Sequence, residues 1–331
     1  MKKICLLTTG GTIASAEGET GLIPQMDGAR MLRLIPALAE VCQIDCQELM
    51  NIDSSNLQPE HWLLIAQKIV NHYDLYDGFV ISHGTDTMAY STAALTYMLH
   101  NLAKPVVFTG SQRPIGQADT DAKANLLAAC RVAAADHFGV YLVFANTVIH
   151  GLHAKKLYTK HLSAFGSINA PIMAHIAGNQ LIWQVPIAQK PDGLLSLKAT
   201  MDQRVFVLKL VPGIQPQLID MAVSAGYRGI IIEGFGAGGV PNQNCECNLL
   251  PAIERALQAG VIVVCVSQCI YDGTYLDCYE VGILAERMGV ISAGNMTLEA
   301  LLAKFMLALG QCKEPSGICS FLRDNRYGEV I

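Results

Sequence analysis

The chain has 331 residues, 51% of them apolar and 15% charged, with a formal charge of −5. That length exceeds the ~250–300 residues at which a single hydrophobic core stops growing, which predicts two domains or one large α/β unit and excludes a disordered chain. The acidic balance offers no basic stripe for a phosphate backbone, so nucleic acid is not expected as a partner.

The start, Met1-Lys2-Lys3-Ile4-Cys5-Leu6-Leu7, opens like a signal peptide, but its apolar run stops at Thr8-Thr9-Gly10-Gly11 before an h-region can form. The longest strong apolar run, Val261 to Val266, falls far short of the ~18–20 residues of a membrane span, so no membrane partner is expected. Eleven cysteines, an odd number scattered through apolar segments, point to reduced thiols and a cytoplasmic location. Their nearest groupings, Cys42/Cys46, Cys245/Cys247 and Cys265/Cys269, lack the paired C-x-x-C form of a zinc site, and no metal is expected.

Short apolar runs alternate with amphipathic stretches, the pattern of an α/β fold in which a parallel sheet carries crossover helices. Strands are predicted at about 3–9, 78–82, 105–109 and 140–144, with helices over Pro59 to His72, Thr87 to His100 and Asp119 to Asp136, the first with proline near its start and the third opened by an aspartate cap. These make a larger N-terminal α/β domain over 1–184. The stretch 185–202, with Pro191-Asp192-Gly193, reads as the connection between domains. A smaller C-terminal α/β domain is expected over 203–331, with strands near 205–209, 229–233 and 261–267 and helices near 216–225, 249–259 and 296–309, Gly226 and Gly260 serving as helix stops.

In open parallel sheets ligands bind beyond the carboxyl ends of the strands. Three loops there carry hydroxyls, carboxylates and glycines together: Thr8-Thr9-Gly10-Gly11-Thr12-Ile13, Asp53-Ser54-Ser55 and Ser82-His83-Gly84-Thr85-Asp86-Thr87. Glycines let a backbone approach a ligand and present amide donors, and Thr12 sets a hydroxyl beside them, an arrangement suited to acyl transfer. Asp86 or Thr85 could equally cap the helix from Thr87, and His83 reads as a residue that holds the loop.

With these motifs the sequence resembles the bacterial-type L-asparaginases, and specifically their cytoplasmic type I branch. The resemblance rests on Thr9-Gly10-Gly11-Thr12-Ile13, on Tyr76 to Tyr90 with its core Ser82-His83-Gly84-Thr85-Asp86-Thr87, on Thr109-Gly110-Ser111-Gln112 and on Ser267-Gln268-Cys269. It implies an L-asparagine amidohydrolase without cofactor, in which Thr12 is the primary nucleophile and Thr85, Asp86 and Lys156 form a second catalytic group. It also implies that Ser54 holds the substrate α-carboxylate and Asp86 its α-ammonium, that Ser55 and Thr85 bind substrate beside them, and that the protein is a homo-oligomer, a dimer or tetramer.

The chain departs from the family at three places. Leu22 stands where many relatives have a loop tyrosine, and Tyr279 is the candidate substitute. Gly239 replaces a common asparagine, and Glu233 an arginine of the allosteric pattern. Competing readings are a dinucleotide-binding oxidoreductase, which Gly10-Gly11 and Gly234 to Gly239 suggest without completing G-x-G-x-x-G; an ammonia-producing subunit of a tRNA-dependent amidotransferase, which the start directly at the first strand disfavours; and a non-catalytic amino-acid sensor.

Overall fold

The apolar runs of the first half line up in one sheet. The computed structural model describes residues 1–18, 21–24, 28–186, 190–243 and 246–328, and side chains are not described for 14–24 and Ala29. It divides into two units, Met1–Ala199 and Thr200–Ile331.

The first unit is built on an eight-stranded sheet. Its parallel block runs in the spatial order Gln43–Ile52, Lys3–Gly10, Gly78–Ser82, Pro105–Thr109, Gly139–Phe144, which is 2-1-3-4-5 in chain order. Three antiparallel strands, Thr147–His150, Ala174–Ala177 and Gln180–Trp183, extend it beyond the last parallel one. These were not expected from the sequence, where each is a run of only four residues.

Ile4, Leu6, Val80, Val107, Tyr141 and Val143 alternate onto one face of the sheet and pack against Leu126, Ala129, Cys130 and Ala133 of helix Ala122–Ala133. Helix Met88–Met98 packs on the strands Pro105–Thr109 and Gly139–Phe144. Nine of its eleven residues are buried, so it has no wet face and almost no amphipathic period.

Helix Pro59–Asn71 starts on a capping box of Gln58 and His61 with proline in its first turn. The helix expected from Thr87 to His100 ends at Met98, because Leu99–His100 turns into a short strand paired with Ser196–Leu197. The third helix begins at Ala122. Asp121 flanks it without capping it, since its carboxylate instead accepts the Gln112 and Arg113 amides.

In the second unit four parallel strands lie in the order Val205–Lys209, Gly229–Gly234, Ile262–Ser267, Ile291–Ser292. Helices Gln217–Ser224 and Leu250–Gln258 are followed by Gly226 and Gly260 at φ +84° and +81°, the left-handed stop that glycine adopts at least cost. Lys304, on helix Leu298–Gln311, is buried at 1% exposure and donates to the carbonyls of Leu322 (2.9 Å) and Asp324 (2.6 Å) at the end of helix Pro315–Arg323.

Candidate active site

The order 2-1-3-4-5 reverses direction between its first and third strands, and the loops leaving neighbouring strands diverge there to open a crevice. Gly10-Gly11-Thr12 leaves the first strand and His83 to Thr87 leaves the third, so both hydroxyl-bearing loops meet at this point. The second strand delivers Asp53-Ser54-Ser55 to its other side.

The loops touch through backbone. A Cβ on Gly11 would lie 2.5 Å from Gly84 Cα, and one on Gly84 would lie 2.5 Å from Ser54 Oγ, so no side chain fits at either position. Gly11 also sits at φ +81°. Thr12 opens the short turn Thr12–Ala14 and is half-buried, while the next residue, Ile13, is fully buried in the core and its carbonyl accepts Ile115 N–H at 3.3 Å. The hydroxyl is therefore carried between a glycine contact and a buried anchor.

Ser54 is buried, and its Oγ accepts the Asp86 amide at 3.2 Å, leaving its own O–H to donate. Thr87 Oγ1 donates to the Ser54 carbonyl at 2.8 Å, and Asp53 accepts Ser55 N–H at 2.8 Å. Ser55 Oγ stands 3.5 Å from Asp86 Oδ2. Neither Thr85 nor Asp86 caps the following helix, whose flanking residue is Thr87 and which has no side-chain cap.

The Thr85 and Asp86 side chains turn instead to Lys156. Its Nζ donates to Thr85 Oγ1 at 2.7 Å and to Asp86 Oδ1 at 2.6 Å. Lys156 comes from a two-stranded hairpin, Ala154–Lys156 against Phe165–Ser167, which packs on helix Met88–Met98. Its side chain is 19% exposed and that of Asp86 58%, so the cation is shielded while the carboxylate faces outward.

Behind this loop runs a buried relay of hydrogen bonds. Trp62 Nε1 donates to Ser91 Oγ (3.0 Å), Ser91 Oγ meets His83 Nε2 (2.9 Å), and His83 Nδ1 meets the Gly84 carbonyl (2.7 Å). Full burial pushes the His83 pKa down to about 4, so the ring is neutral at pH 7. Ser91 and Trp62 carry no sequence signal of their own, being single residues inside helices.

Tyr279 belongs to the second unit. It precedes helix Glu280–Arg287, is 66% exposed, and with Phe235, Gly236 and Val240 lines a depression of about 550 Å³. In the same unit Gln268 Nε2 donates to the carbonyls of Leu210 and Glu233, Ser267 Oγ donates to that of Gly236, and a Cβ on Gly239 would meet Val281 Cγ2 at 3.0 Å. The Leu22 side chain, Thr20, residues 187–189 and Cys245 lie outside what is described. Among the described residues no group of three His, Cys, Asp or Glu could hold a metal, and no helix is long and apolar enough to cross a membrane.

Comparison with known proteins gives two family matches: the asparaginase N-terminal domain over residues 3–189, and the glutaminase/asparaginase C-terminal domain over residues 204–322. The chain is 36% identical to an L-asparaginase of Thermococcus kodakarensis, covering 99% of each chain, and a solved structure of the thermostable L-asparaginase from that organism superposes with a TM-score of 0.92. The structure of L-asparaginase I from Vibrio cholerae is 34% identical, with a TM-score of 0.89, over 100% of this chain and 99% of that one. A subunit of the glutamyl-tRNA(Gln) amidotransferase of Metallosphaera sedula is 34% identical, over 99% of this chain and 76% of the relative.

Proposed function

The chain belongs to the asparaginase family, and from that premise we propose that it hydrolyses the side-chain amide of L-asparagine to L-aspartate and ammonia through an acyl-enzyme on Thr12. The observation that carries this reading is the Lys156 ammonium bridging Thr85 Oγ1 and Asp86 Oδ1, next to a glycine-held threonine loop. A threonine hydroxyl is a weak nucleophile and needs a proton acceptor within reach, together with fixed donors for the developing oxyanion.

In this reading Thr12 attacks the amide carbon and ammonia leaves. Thr85 Oγ1, already accepting from Lys156, has its own O–H and remaining lone pair for proton transfer, and Lys156 relays or positions that proton. Lys156 Nζ donates to Asp86 Oδ1 at 2.6 Å as well as to Thr85, a two-point hold that suits a positioning role. Asp86 Oδ2 faces the substrate α-ammonium, and the Ser54 and Ser55 hydroxyls donate to its α-carboxylate. The Thr12 ester is then hydrolysed by water through the same groups.

No cofactor is required by this chemistry. We propose a homo-oligomer, a dimer or tetramer: Ile270, Tyr271, Tyr275 and Tyr279, exposed at 39, 50, 51 and 66%, give the second unit an apolar and aromatic surface of the kind interfaces bury. The odd number of scattered cysteines supports a cytoplasmic location. Domain limits of 1–184 and 203–331 flanking a 185–202 connection remain the proposed division.

The test is ammonia release from L-asparagine and L-glutamine across a concentration series, on protein of known oligomeric mass, with Thr12→Ala as comparison. Turnover of asparagine by the parent and its loss in the variant are expected; equal turnover in the variant would remove Thr12 from the mechanism. The similarity to an amidotransferase subunit supports a second reading, ammonia delivery to a partner, and steady-state release by the isolated chain argues against it.

A further inference from the structure

The relay through Trp62, Ser91, His83 and Gly84 has a direction that its chemistry fixes. The Gly84 carbonyl oxygen can only accept, so His83 Nδ1 carries the proton. In a neutral ring Nε2 is then an acceptor, and Ser91 must donate its O–H to it. The Ser91 oxygen in turn accepts from Trp62, whose indole N–H can only donate. All three bonds are satisfied by one arrangement of protons. A doubly protonated ring would force Ser91 Oγ to accept from both His83 and Trp62 and leave its own buried O–H without a partner.

What this arrangement holds is a single peptide plane. In a trans peptide the C=O and the following N–H point in opposite directions. Pinning the Gly84 carbonyl inward on His83 therefore turns the Thr85 amide N–H outward, away from the core and toward the side of the loop that faces the crevice. Thr85 is buried at 6% exposure, yet among the described residues its amide has no hydrogen-bond partner within the fold, where buried backbone donors are almost always satisfied. The same peptide cannot slide, because Gly11 backbone lies against one side and Ser54 against the other.

We propose that Trp62, Ser91 and His83 are positioning residues which lock the Nδ1–H tautomer of His83 and so aim the Thr85 amide N–H at the substrate. This deepens the amidohydrolase reading and rests on it. His83 itself transfers no proton and touches no substrate; it acts through the Gly84–Thr85 peptide. An amide held this way donates without reorganisation to negative charge that develops on the substrate, so its loss should lower turnover more than affinity.

The experiment has two arms. The first needs no variant to fold: ¹⁵N-labelled histidine spectra of the parent protein should show His83 as a neutral ring protonated at Nδ1 and unprotonated at Nε2. An Nε2–H tautomer, or a charged ring at pH 7, overturns the proposal even if the amidohydrolase reading stands.

The second arm compares Ser91→Ala, His83→Leu and His83→Asn with the parent by kcat, KM for L-asparagine and thermal midpoint. His83→Leu should lose roughly 10²-fold in kcat, the scale of one lost oxyanion donor, with KM changed less than about threefold. Ser91→Ala should lose about tenfold. His83→Asn, whose amide nitrogen can replace Nδ1 as donor to Gly84, should recover at least about tenfold over His83→Leu. Unchanged kcat in His83→Leu, or no recovery in His83→Asn at an equal thermal midpoint, overturns the proposal. A parent with no asparagine turnover would refute the reading beneath it instead, and the spectra tell these failures apart.

Discussion

Gly11 and Gly84 meet backbone to backbone, with the position of a Cβ on Gly11 2.5 Å from Gly84 Cα and 2.6 Å from Gly84 N. Two loops from adjacent parallel strands are thereby joined at a point where neither can carry a side chain, and the threonine that follows each glycine is brought to the same crevice.

The consequence is testable at Gly84. Its Cβ would fall 2.5 Å from Ser54 Oγ and 2.6 Å from Ser54 Cβ, so Gly84→Ala must displace either the Ser54 loop or its own. Overpacking of this kind costs roughly 1–3 kcal/mol, and the displaced peptide should lower turnover by about 10²-fold or more. Kinetics and a thermal midpoint check both numbers. Adding Ser54→Gly should relieve the stability loss without restoring substrate affinity, because the Ser54 hydroxyl goes with it.

Asp86 offers the second prediction. Asp86→Ala should weaken L-aspartate binding and also release Lys156 from its 2.6 Å partner. Losing one partner of a paired charge costs roughly 3–5 kcal/mol when buried; with the carboxylate 58% exposed before ligand arrives, the lower end applies. Calorimetric titration with aspartate measures it, and parental affinity in the variant would place the α-ammonium elsewhere.

The pH dependence of stability has a sign that His83 sets. Its folded pKa of about 4 lies below the unfolded value of ~6.5, so the unfolded chain takes up the proton first as pH falls. The stability contributed is complete above pH ~6.5 and is lost as pH falls through ~4, a change of about 3 kcal/mol for this one group. Denaturation of the parent and of His83→Asn between pH 7 and pH 4 should show a shallower decline in the variant. Equal slopes would mean that His83 takes up its proton over the same pH range in the folded and the unfolded protein.

Tyr279 is the candidate phenol in place of a loop tyrosine. Its ring is 66% exposed in the second unit, free of the core and placed at a helix start. If its hydroxyl serves Thr12 in the assembled protein, Tyr279→Phe should lower turnover by roughly 10²-fold with little change in aspartate binding. Tyr271→Phe and Tyr275→Phe are the controls, and near-parental turnover in Tyr279→Phe leaves Lys156 as the activator to test next.

The central strands were legible because strands buried on both faces are continuous apolar runs: Gly78–Ser82 and Pro105–Thr109 are buried at every residue. The edge strand Gln43–Ile52 was not, since it carries Gln43, Asp45, Gln47 and Glu48 and is only half-buried along its length. The loops bearing Thr12, Ser54, Thr85 and Asp86 stood out through their glycines and hydroxyls at strand ends. Lys156 had no such signal beyond family likeness, because it is 70 residues from Asp86 and reaches it only through a hairpin whose strands are three residues long. His83 was legible as a residue that holds its loop, but its relay was not: Trp62 and Ser91 are single residues inside helices, and only the folded distances link them to it.

Lys304 ties helix Leu298–Gln311 to the stretch that follows helix Pro315–Arg323. Its buried Nζ donates to carbonyls 18 and 20 residues further along. Burying a lysine head group strips it of water, and the Leu322 and Asp324 carbonyls replace part of what it gives up. Backbone atoms that carry no sequence signal of their own thus help to hold a helix whose lysine would otherwise resist the interior.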